Sequence, residues 1–267
     1  MGALVIRQIK TMGSENKLGI IVQARMGSSR LPGKMGRKFY NGKSLLEIVI
    51  ERILSASGNL PVVIATTKGS IDDYIVNTSK NSGALVFRGS EEDVMSRFIG
   101  AADMYQLNTL IRICADNPFI QPKYIKQLIN YNKDLTADYV GFRLNKTHPG
   151  IKTHLGFFPE RVKLKALKEV HTSGLDSKYK EHVTNYFYSR DNEKYSIKWI
   201  ELNYPQYVLD EARLTIDVEE DFDVSDKLYQ YFNENGMEGD DVEIIKYLRE
   251  HPSILREMKT SIIKNEK

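Results

Sequence analysis

The sequence predicts an α/β fold: a three-layer α/β/α arrangement around a mostly parallel central sheet. Three observations carry that expectation. Apolar runs bounded by turn residues alternate with helical periodicity through the first half of the chain. The length, 267 residues, suits one large α/β domain or one domain with a subordinate lobe. The first apolar run, Leu18 to Val22, gives way at Gln23 to a glycine-bearing loop rich in arginine and lysine. A strand delivering a flexible cationic loop is how many α/β proteins grip a polyphosphate.

The elements follow in order. Leu18–Gln23 reads as the first strand. Ser44–Ser55 has apolar residues at helical spacing. Pro61–Thr66 is a strand, and Ile71–Asn81 a helix stopped by Gly83. Ala84–Phe87 is a short strand. Ser90, followed by acidic residues, opens a helix running to about Gln106. Thr109–Ala115 is an apolar strand ending on Asp116, with Asn117-Pro118 as the breaker. The second half is less regular. Asp138–Arg143, Lys152–Phe158, Tyr195–Leu202 and Arg213–Ile216 read as strands. Pro159–Val170, Ser177–Ser189 and Val218–Asn235 read as helices. Asp240 to about Lys264 is helical with a break near Pro252. The domain spans 18–250, with a small inserted lobe at about 140–205 where the βα rhythm weakens. Residues 1–17 read as a poorly ordered extension, with Met12 as an alternative start, and 251–267 as a helical tail.

Composition narrows the function. The net charge of +3 is too small for bulk nucleic-acid binding. Its distribution is uneven: residues 1–60 carry ten Lys/Arg against three Asp/Glu, leaving 28 against 32 for the rest. From Arg25 to Lys43 there are six basic residues and no acidic one. Cys114 is the sole cysteine, which excludes an intrachain disulfide and a cysteine-built zinc site, and its strand position suits core packing. No apolar stretch is long enough to span a bilayer, and the first sixteen residues lack a signal-peptide core. A cytoplasmic protein with no membrane and no nucleic-acid partner is expected.

Two carboxylates complement the cationic loop. Asp116 stands at the end of an apolar strand, where open α/β sheets bind ligands. Mg²⁺ on a triphosphate prefers one or two carboxylates besides phosphate oxygens and water. The same aspartate also suits a plain Asp-Asn-Pro turn. Asp217 ends a second strand-like run, ahead of Glu219, Glu220 and Asp221. A capping box of Asp217 with Glu220 is the alternative for Asp217, and Glu219, Glu220 and Asp221 are assigned mainly to helix initiation, where the helix dipole favours acids.

The segment Gln23-Ala24-Arg25-Met26-Gly27-Ser28-Ser29-Arg30-Leu31-Pro32-Gly33-Lys34 resembles the N-terminal signature of cytidylyltransferases related to spore-coat polysaccharide synthesis proteins. It is similar, more distantly, to CMP-Kdo and CMP-sialic acid synthetases. Arg25, Arg30, Leu31, Pro32, Gly33 and Lys34 match the pattern R-x4-R-L-P-G-K. Ala115-Asp116-Asn117-Pro118-Phe119-Ile120 and Leu214-Thr215-Ile216-Asp217 resemble two further family segments, and the order along the chain, over about 18–230, is the family's. After Asp217 the sequence departs from the usual T-P-E-D, having Val218-Glu219 instead.

The resemblance implies a Rossmann-like nucleotidyltransferase fold. It implies CTP as donor, a small sugar-type acceptor, Mg²⁺ on Asp116 and Asp217, and a homodimer. Arg25, Arg30 and Lys34 become catalytic, neutralising phosphate charge. Gln23, Ala24, Gly27 and Ser28 become nucleotide-binding. Thr66 and Thr67 sit where the family contacts the base, though a turn role fits as well. Val86-Phe87-Arg88-Gly89-Ser90-Glu91-Glu92-Asp93-Val94 is similar to a family segment near the nucleotide. That gives Arg88 and Arg97 the same role, with a helix salt bridge as the alternative for Arg97. Glu181-His182-Val183-Thr184 resembles the family's E-H-V-T, which assigns Glu181 and His182 to the acceptor; a buried helix histidine is the other reading of His182, and His154 is a weaker candidate.

The acceptor is left open between an ulosonic acid, giving a CMP-sugar, and a sugar or polyol phosphate, giving a CDP product. A glycosyltransferase of similar sheet topology is the competing enzyme, and a degenerate nucleotide-binding regulator the non-enzymatic one. Two Walker-like spacings, Gly27…Gly33-Lys34 and Gly36…Gly42-Lys43-Ser44, hold five residues between their glycines instead of four, which argues against a P-loop ATPase. Asp221-Phe222-Asp223 reads as D-x-D but falls inside an expected helix.

Overall fold

The apolar runs become strands whose side chains alternate between two cores. In β1 (Leu18–Gln23), Ile20 and Val22 enter one core and Ile21 the other. That is the period-two signature of a strand buried on both faces. The computed structural model describes residues 17–134, 136–174, 178–188 and 193–265. The extension expected over 1–17 therefore lies outside the described residues up to position 16.

Beyond β1 comes a loop, then a 3-10 turn (Lys34–Gly36), a small hairpin of β2 (Lys38–Tyr40) and β3 (Lys43–Ser44), and α1 (Leu45–Ser57). Helix α1 starts at Ser44 through a capping box: the Glu47 carboxylate accepts from the Ser44 backbone at 2.7 Å, and Glu47 N donates to Ser44 Oγ at 3.4 Å. The βα rhythm continues through β4 (Val62–Thr67), α2 (Asp73–Asn81), β5 (Leu85–Gly89), α3 (Val94–Met104), β6 (Thr109–Cys114) and α4 (Pro122–Ile129). Then come β7 (Tyr139–Leu144), β8 (His148–Pro149), β9 (Glu160–Lys163), α5 (Leu164–Thr172), and the one-turn helices α6 (Lys178–Glu181) and α7 (Asn185–Tyr188). Strand β10 (Ile197–Leu202) precedes α8 (Gln206–Glu211), α9 (Glu219–Glu234), α10 (Asp241–Glu250) and α11 (Pro252–Asn265).

Among the described residues the central sheet has eight strands, in the order β10-β7-β9-β6-β1-β4-β5, with β8 on β7. Strands β6, β1, β4 and β5 are mutually parallel, while β9 runs antiparallel between β6 and β7. The strands of the 140–205 stretch thus extend the same sheet. Helices α1, α2 and α4 supply Leu46, Ile75 and Ile125 to one core; α3 and α5 supply Phe98 and Leu167 to the other. The parallel strands end at Gln23, Thr67, Gly89 and Cys114 along one edge, where the crevice of an open α/β sheet lies.

Several element expectations are corrected. The strand expected over Lys152–Phe158 is an irregular segment after a 3-10 turn (Gly150–Lys152). Its Leu155, Phe157 and Phe158 are buried, and the two phenylalanines pack against aromatic rings such as Tyr204 instead of joining a ladder. The helix expected from Pro159 starts at Leu164, because Glu160 is a register partner of Arg112 on β6 and forms a buried ion pair with it at 2.6 Å. The helix expected from Ser90 starts at Val94, capped by Asp93, whose Oδ1 accepts from Ser96 N at 2.8 Å. The helix expected over Ser177–Ser189 is interrupted at 182–184; its two end residues lie outside the described residues. Arg213–Ile216 forms no strand and bonds to loops instead, Leu214 N to His154 O at 2.8 Å and Ile216 N to Asp116 O at 3.0 Å. Helices α4 and α8 had no counterpart in the periodicity reading.

Candidate active site

The cationic loop is folded on itself. Ser28 N and Gly33 N both donate to Met26 O at 2.9 Å, and Met26 N donates to Asp72 Oδ1 at 2.7 Å. Gly33 has φ of 72°, a left-handed conformation that glycine takes without a Cβ penalty. It turns the chain immediately ahead of Lys34, which is only 6% exposed.

Lys34 is where the separate sequence motifs meet. Its Nζ donates to Asp116 Oδ2 at 3.0 Å and to Ile216 O at 2.5 Å, and lies 3.9 Å from Asp217 Oδ1. Arg30 Nη2 lies 2.8 Å from the same Asp217 oxygen. The backbone bond from Ile216 N to Asp116 O ties the two aspartate-bearing segments together. Gly156, with φ of 66°, packs beneath them: a Cβ there would meet Asn117 Oδ1 at 3.0 Å. Two carboxylates, with side chains 31% and 27% exposed, are thus held together by an ammonium ion.

Behind Asp217 stands a residue that the sequence reading did not single out. Arg213 is 2% exposed and donates from Nη2 to Asp217 Oδ2 at 2.9 Å and from Nε to Asp221 Oδ1 at 2.8 Å. Its Nη1 is 3.2 Å from His154 Nδ1. Asp221 Oδ2 accepts from Asp217 N at 3.0 Å and Val218 N at 3.2 Å. Capping of α9 therefore falls to Asp221, and Glu220 is exposed, which corrects the Asp217–Glu220 capping alternative. It also consumes Asp221 internally, so the D-x-D reading loses its aspartate. Glu219 pairs with Arg37 at 2.5 Å, joining the loop side of the site to the start of α9. A lone arginine four residues ahead of Asp217 was the only sequence signal for this array.

The second cationic group lies toward β5 and α3. Arg97 is fully buried and donates from Nη1 to Ser90 O at 2.6 Å. Among the described residues its Nε and Nη2 have no hydrogen-bond partner, and neither does Gln23 Oε1. Burial first, and the Arg25 charge second, lower the Arg97 pKa from its ordinary value. Burying such donors without acceptors costs free energy. The open Arg97 donors suit a ligand bearing anionic or acceptor atoms, and the Gln23 oxygen suits a donor on it.

Other expected site residues are placed differently. Thr66 Oγ1 and Thr67 Oγ1 donate to Asp72 Oδ2 at 2.9 and 2.5 Å, and Thr67 N adds a third bond at 3.0 Å. Arg88 donates to Thr67 O, Asp73 Oδ1 and Gly69 O. These side chains brace the crevice wall, with buried Asp72 as a hub that the sequence reading passed over. Glu181, at the end of α6, and His182, just after it, are both exposed, so the buried-histidine alternative is corrected. Their neighbour Thr184 is buried and donates to Glu160 Oε2 at 2.8 Å, anchoring the segment beside β6. Cys114 is half-buried, and burial pushes its thiol up to about 11.

The donor set at Asp116 and Asp217 fits a hard divalent cation such as Mg²⁺: two carboxylates facing one point to which a cationic group is already drawn. Among the described residues no group of three or more His, Cys, Asp or Glu side chains forms an all-protein metal cage. A site that shares its metal with phosphate oxygens needs none. No described helix is long and apolar enough to cross a membrane.

Residues 19–252 match the family model described as cytidylyltransferase. The spore coat polysaccharide biosynthesis protein SpsF of Bacillus subtilis (strain 168) is 34% identical over 226 residues, covering 80% of this chain and 87% of that one. The 3-deoxy-manno-octulosonate cytidylyltransferase of Escherichia coli is 28% identical over 119 residues, 45% of this chain and 47% of that one. Among solved structures, a cytidylyltransferase from Leptospira borgpetersenii serovar Hardjo-bovis (strain JB197) superposes with a TM-score of 0.76 at 27% identity, covering 91% of this chain and 98% of that one. With a mostly parallel sheet, a cationic loop after its first strand and paired aspartates across from it, the chain belongs to the cytidylyltransferase family, enzymes that use CTP as a nucleotidyl donor.

Proposed function

We propose that this enzyme transfers CMP from CTP to an ulosonic acid, releasing pyrophosphate, in the synthesis of a surface polysaccharide or glycoconjugate. The observation that carries the reading is the meeting of Lys34 with Asp116 and Asp217, which joins a cationic loop to two metal-type carboxylates in one crevice. The likeness to SpsF and to an octulosonate cytidylyltransferase supports the pathway and the acceptor class.

In the reaction, the acceptor hydroxyl oxygen forms a bond to the α-phosphorus and gives its proton to solvent, the bond from that phosphorus to the bridging oxygen breaks, and pyrophosphate departs. Asp116 and Asp217 would hold Mg²⁺, which would supply charge neutralisation for the phosphates. Lys34, steadied by the Ile216 carbonyl, and Arg30 neutralise charge building on the transferring and leaving phosphates. Arg25 and Arg97 satisfy anionic or acceptor atoms of the nucleotide, with Gln23 beside them, and the backbone of Ala24, Gly27 and Ser28 lines the phosphates. Thr66 and Thr67 support that wall through Asp72, and Arg88 through Asp73 and the carbonyls of Thr67 and Gly69. Glu181 and His182 meet the acceptor, and two copies associate through the 140–205 region.

Pyrophosphate release, measured with Mg²⁺, each of four nucleoside triphosphates and a panel of ulosonic acids and sugar or polyol phosphates, tests this reading. Release with CTP and an ulosonic acid is expected. Release only with a sugar or polyol phosphate moves the product to a CDP compound. Nucleoside diphosphate release from a sugar nucleotide, without pyrophosphate, overturns the reading in favour of glycosyl transfer.

A further inference from the structure

The family match ends at residue 252, yet the helix beyond it reaches the anionic half of the site. Helix α11 covers Pro252–Asn265, with Leu255, Met258, Ser261 and Ile262 buried. Ser261 Oγ donates to Asp221 Oδ1 at 2.7 Å, the same oxygen that accepts from Arg213 Nε. On the other side, the Arg213 backbone N–H donates to Met258 Sδ at 3.4 Å. One helix therefore grips both members of the buried pair that stands behind Asp217.

The chain of contacts is short and continuous. Asp221 is fixed by four donors: Arg213 Nε and Ser261 Oγ on one oxygen, Asp217 N and Val218 N on the other. It orients Arg213, and Arg213 fixes the Asp217 oxygen opposite the one facing Arg30 and Lys34. Asp217 is half-buried, whereas Arg213 and Asp221 are buried. The carboxylate is thus aimed from the protein side and left open toward the crevice. Outer partners of this kind fix the direction and basicity of a ligating carboxylate.

We infer that α11 is a positioning element for the active site, with Ser261 setting the aim of Asp217 through Asp221 and Arg213. The inference rests on Asp217 being a metal ligand, as in the reading above. It makes the C-terminal helix part of the catalytic structure instead of an appended tail.

The test uses the full-length enzyme and three variants. Ser261→Ala removes the hydroxyl, Ser261→Thr restores it, and Lys259→Ala breaks a different tie of α11, the 2.9 Å pair with Glu211. Two quantities are read: the Mg²⁺ dependence of pyrophosphate release, and Mn²⁺ binding in the absence of turnover, followed by loss of the free-ion paramagnetic signal. An outer-shell change costs about 10–100-fold in metal affinity, and Ser261 stands one contact further out, so a shift of roughly three- to tenfold is expected for Ser261→Ala. Turnover at saturating metal should fall while KM for the acceptor stays unchanged. Ser261→Thr should recover most of the shift, and Lys259→Ala should show none. Wild-type metal dependence in Ser261→Ala, or an equal shift in Lys259→Ala, overturns the inference. Metal binding without pyrophosphate release from CTP overturns the proposed reaction alone, and the Mn²⁺ data then decide the positioning role. Failure of the wild-type protein to bind either ion, with or without CTP, overturns both.

Discussion

Lys34 and Asp116 are 82 residues apart in sequence, yet the lysine Nζ is 3.0 Å from the aspartate Oδ2. The lysine closes a cationic loop and the aspartate stands in the turn after β6, and their contact turns two local motifs into one site. Removing the ammonium removes the partner of Asp116 and, on the proposed function, the charge facing the phosphates together. Lys34→Ala should lower kcat/KM for CTP by about 10²–10³-fold, the scale of losing one preorganised electrostatic group. Steady-state pyrophosphate release measures it, and a loss under tenfold contradicts the role.

Arg213 carries a structural burden as well as a positioning one. It is buried with Asp221, and Arg213→Met leaves that carboxylate without its charged partner. A destabilisation of about 3–5 kcal/mol is expected for breaking such a buried pair from one side. Urea denaturation of the two proteins checks the value. A change below about 1 kcal/mol would show that the pair adds little.

Asp72 predicts an acid-dependent effect. Burial pushes its carboxyl up, but hydrogen bonds from Thr67, Met26 N and Thr66 outweigh it and hold the pKa below the ordinary 3.8. A lowered folded-state pKa means that the stabilisation is fully present above the ordinary value and is lost as pH falls through the depressed one. Asp72→Asn should cost about 1–3 kcal/mol at neutral pH by misplacing donors against donors. The difference from wild type should shrink as the pH is taken below 3.8 in chemical-denaturation series. An undiminished difference there contradicts the assignment.

The subunit state gives a further check. Light scattering at micromolar concentration should report twice the 30.6 kDa mass of the chain. A single-chain mass at every concentration would contradict association through the 140–205 region.

The parts of the fold legible in the sequence were those set by local pattern. The Leu18–Gln23 strand, the Ser44-capped helix and the Thr109–Cys114 strand all carry their periodicity within a few residues. The misread stretch around 152–170 depends on partners far away. Glu160 and Arg161 look helical in sequence, and pairing with β6 and β7, with Glu160 opposite Arg112, makes that segment a strand. The site divides the same way. Arg30, Lys34, Asp116 and Asp217 stand in motifs and converge. Arg213 and Asp72 owe their roles to contacts that no local spacing encodes, and Thr66 and Thr67 turn inward because Asp72 is there.

The central claim, one metal–triphosphate site built from the 25–34 loop, Asp116 and Asp217, is tested most directly by calorimetric titration of CTP into the protein with and without Mg²⁺. Wild-type protein should bind CTP in a Mg²⁺-dependent manner, and Asp116→Asn and Asp217→Asn should each abolish that dependence while keeping the fold. Mg²⁺-dependent CTP binding of wild-type strength in both variants would contradict it.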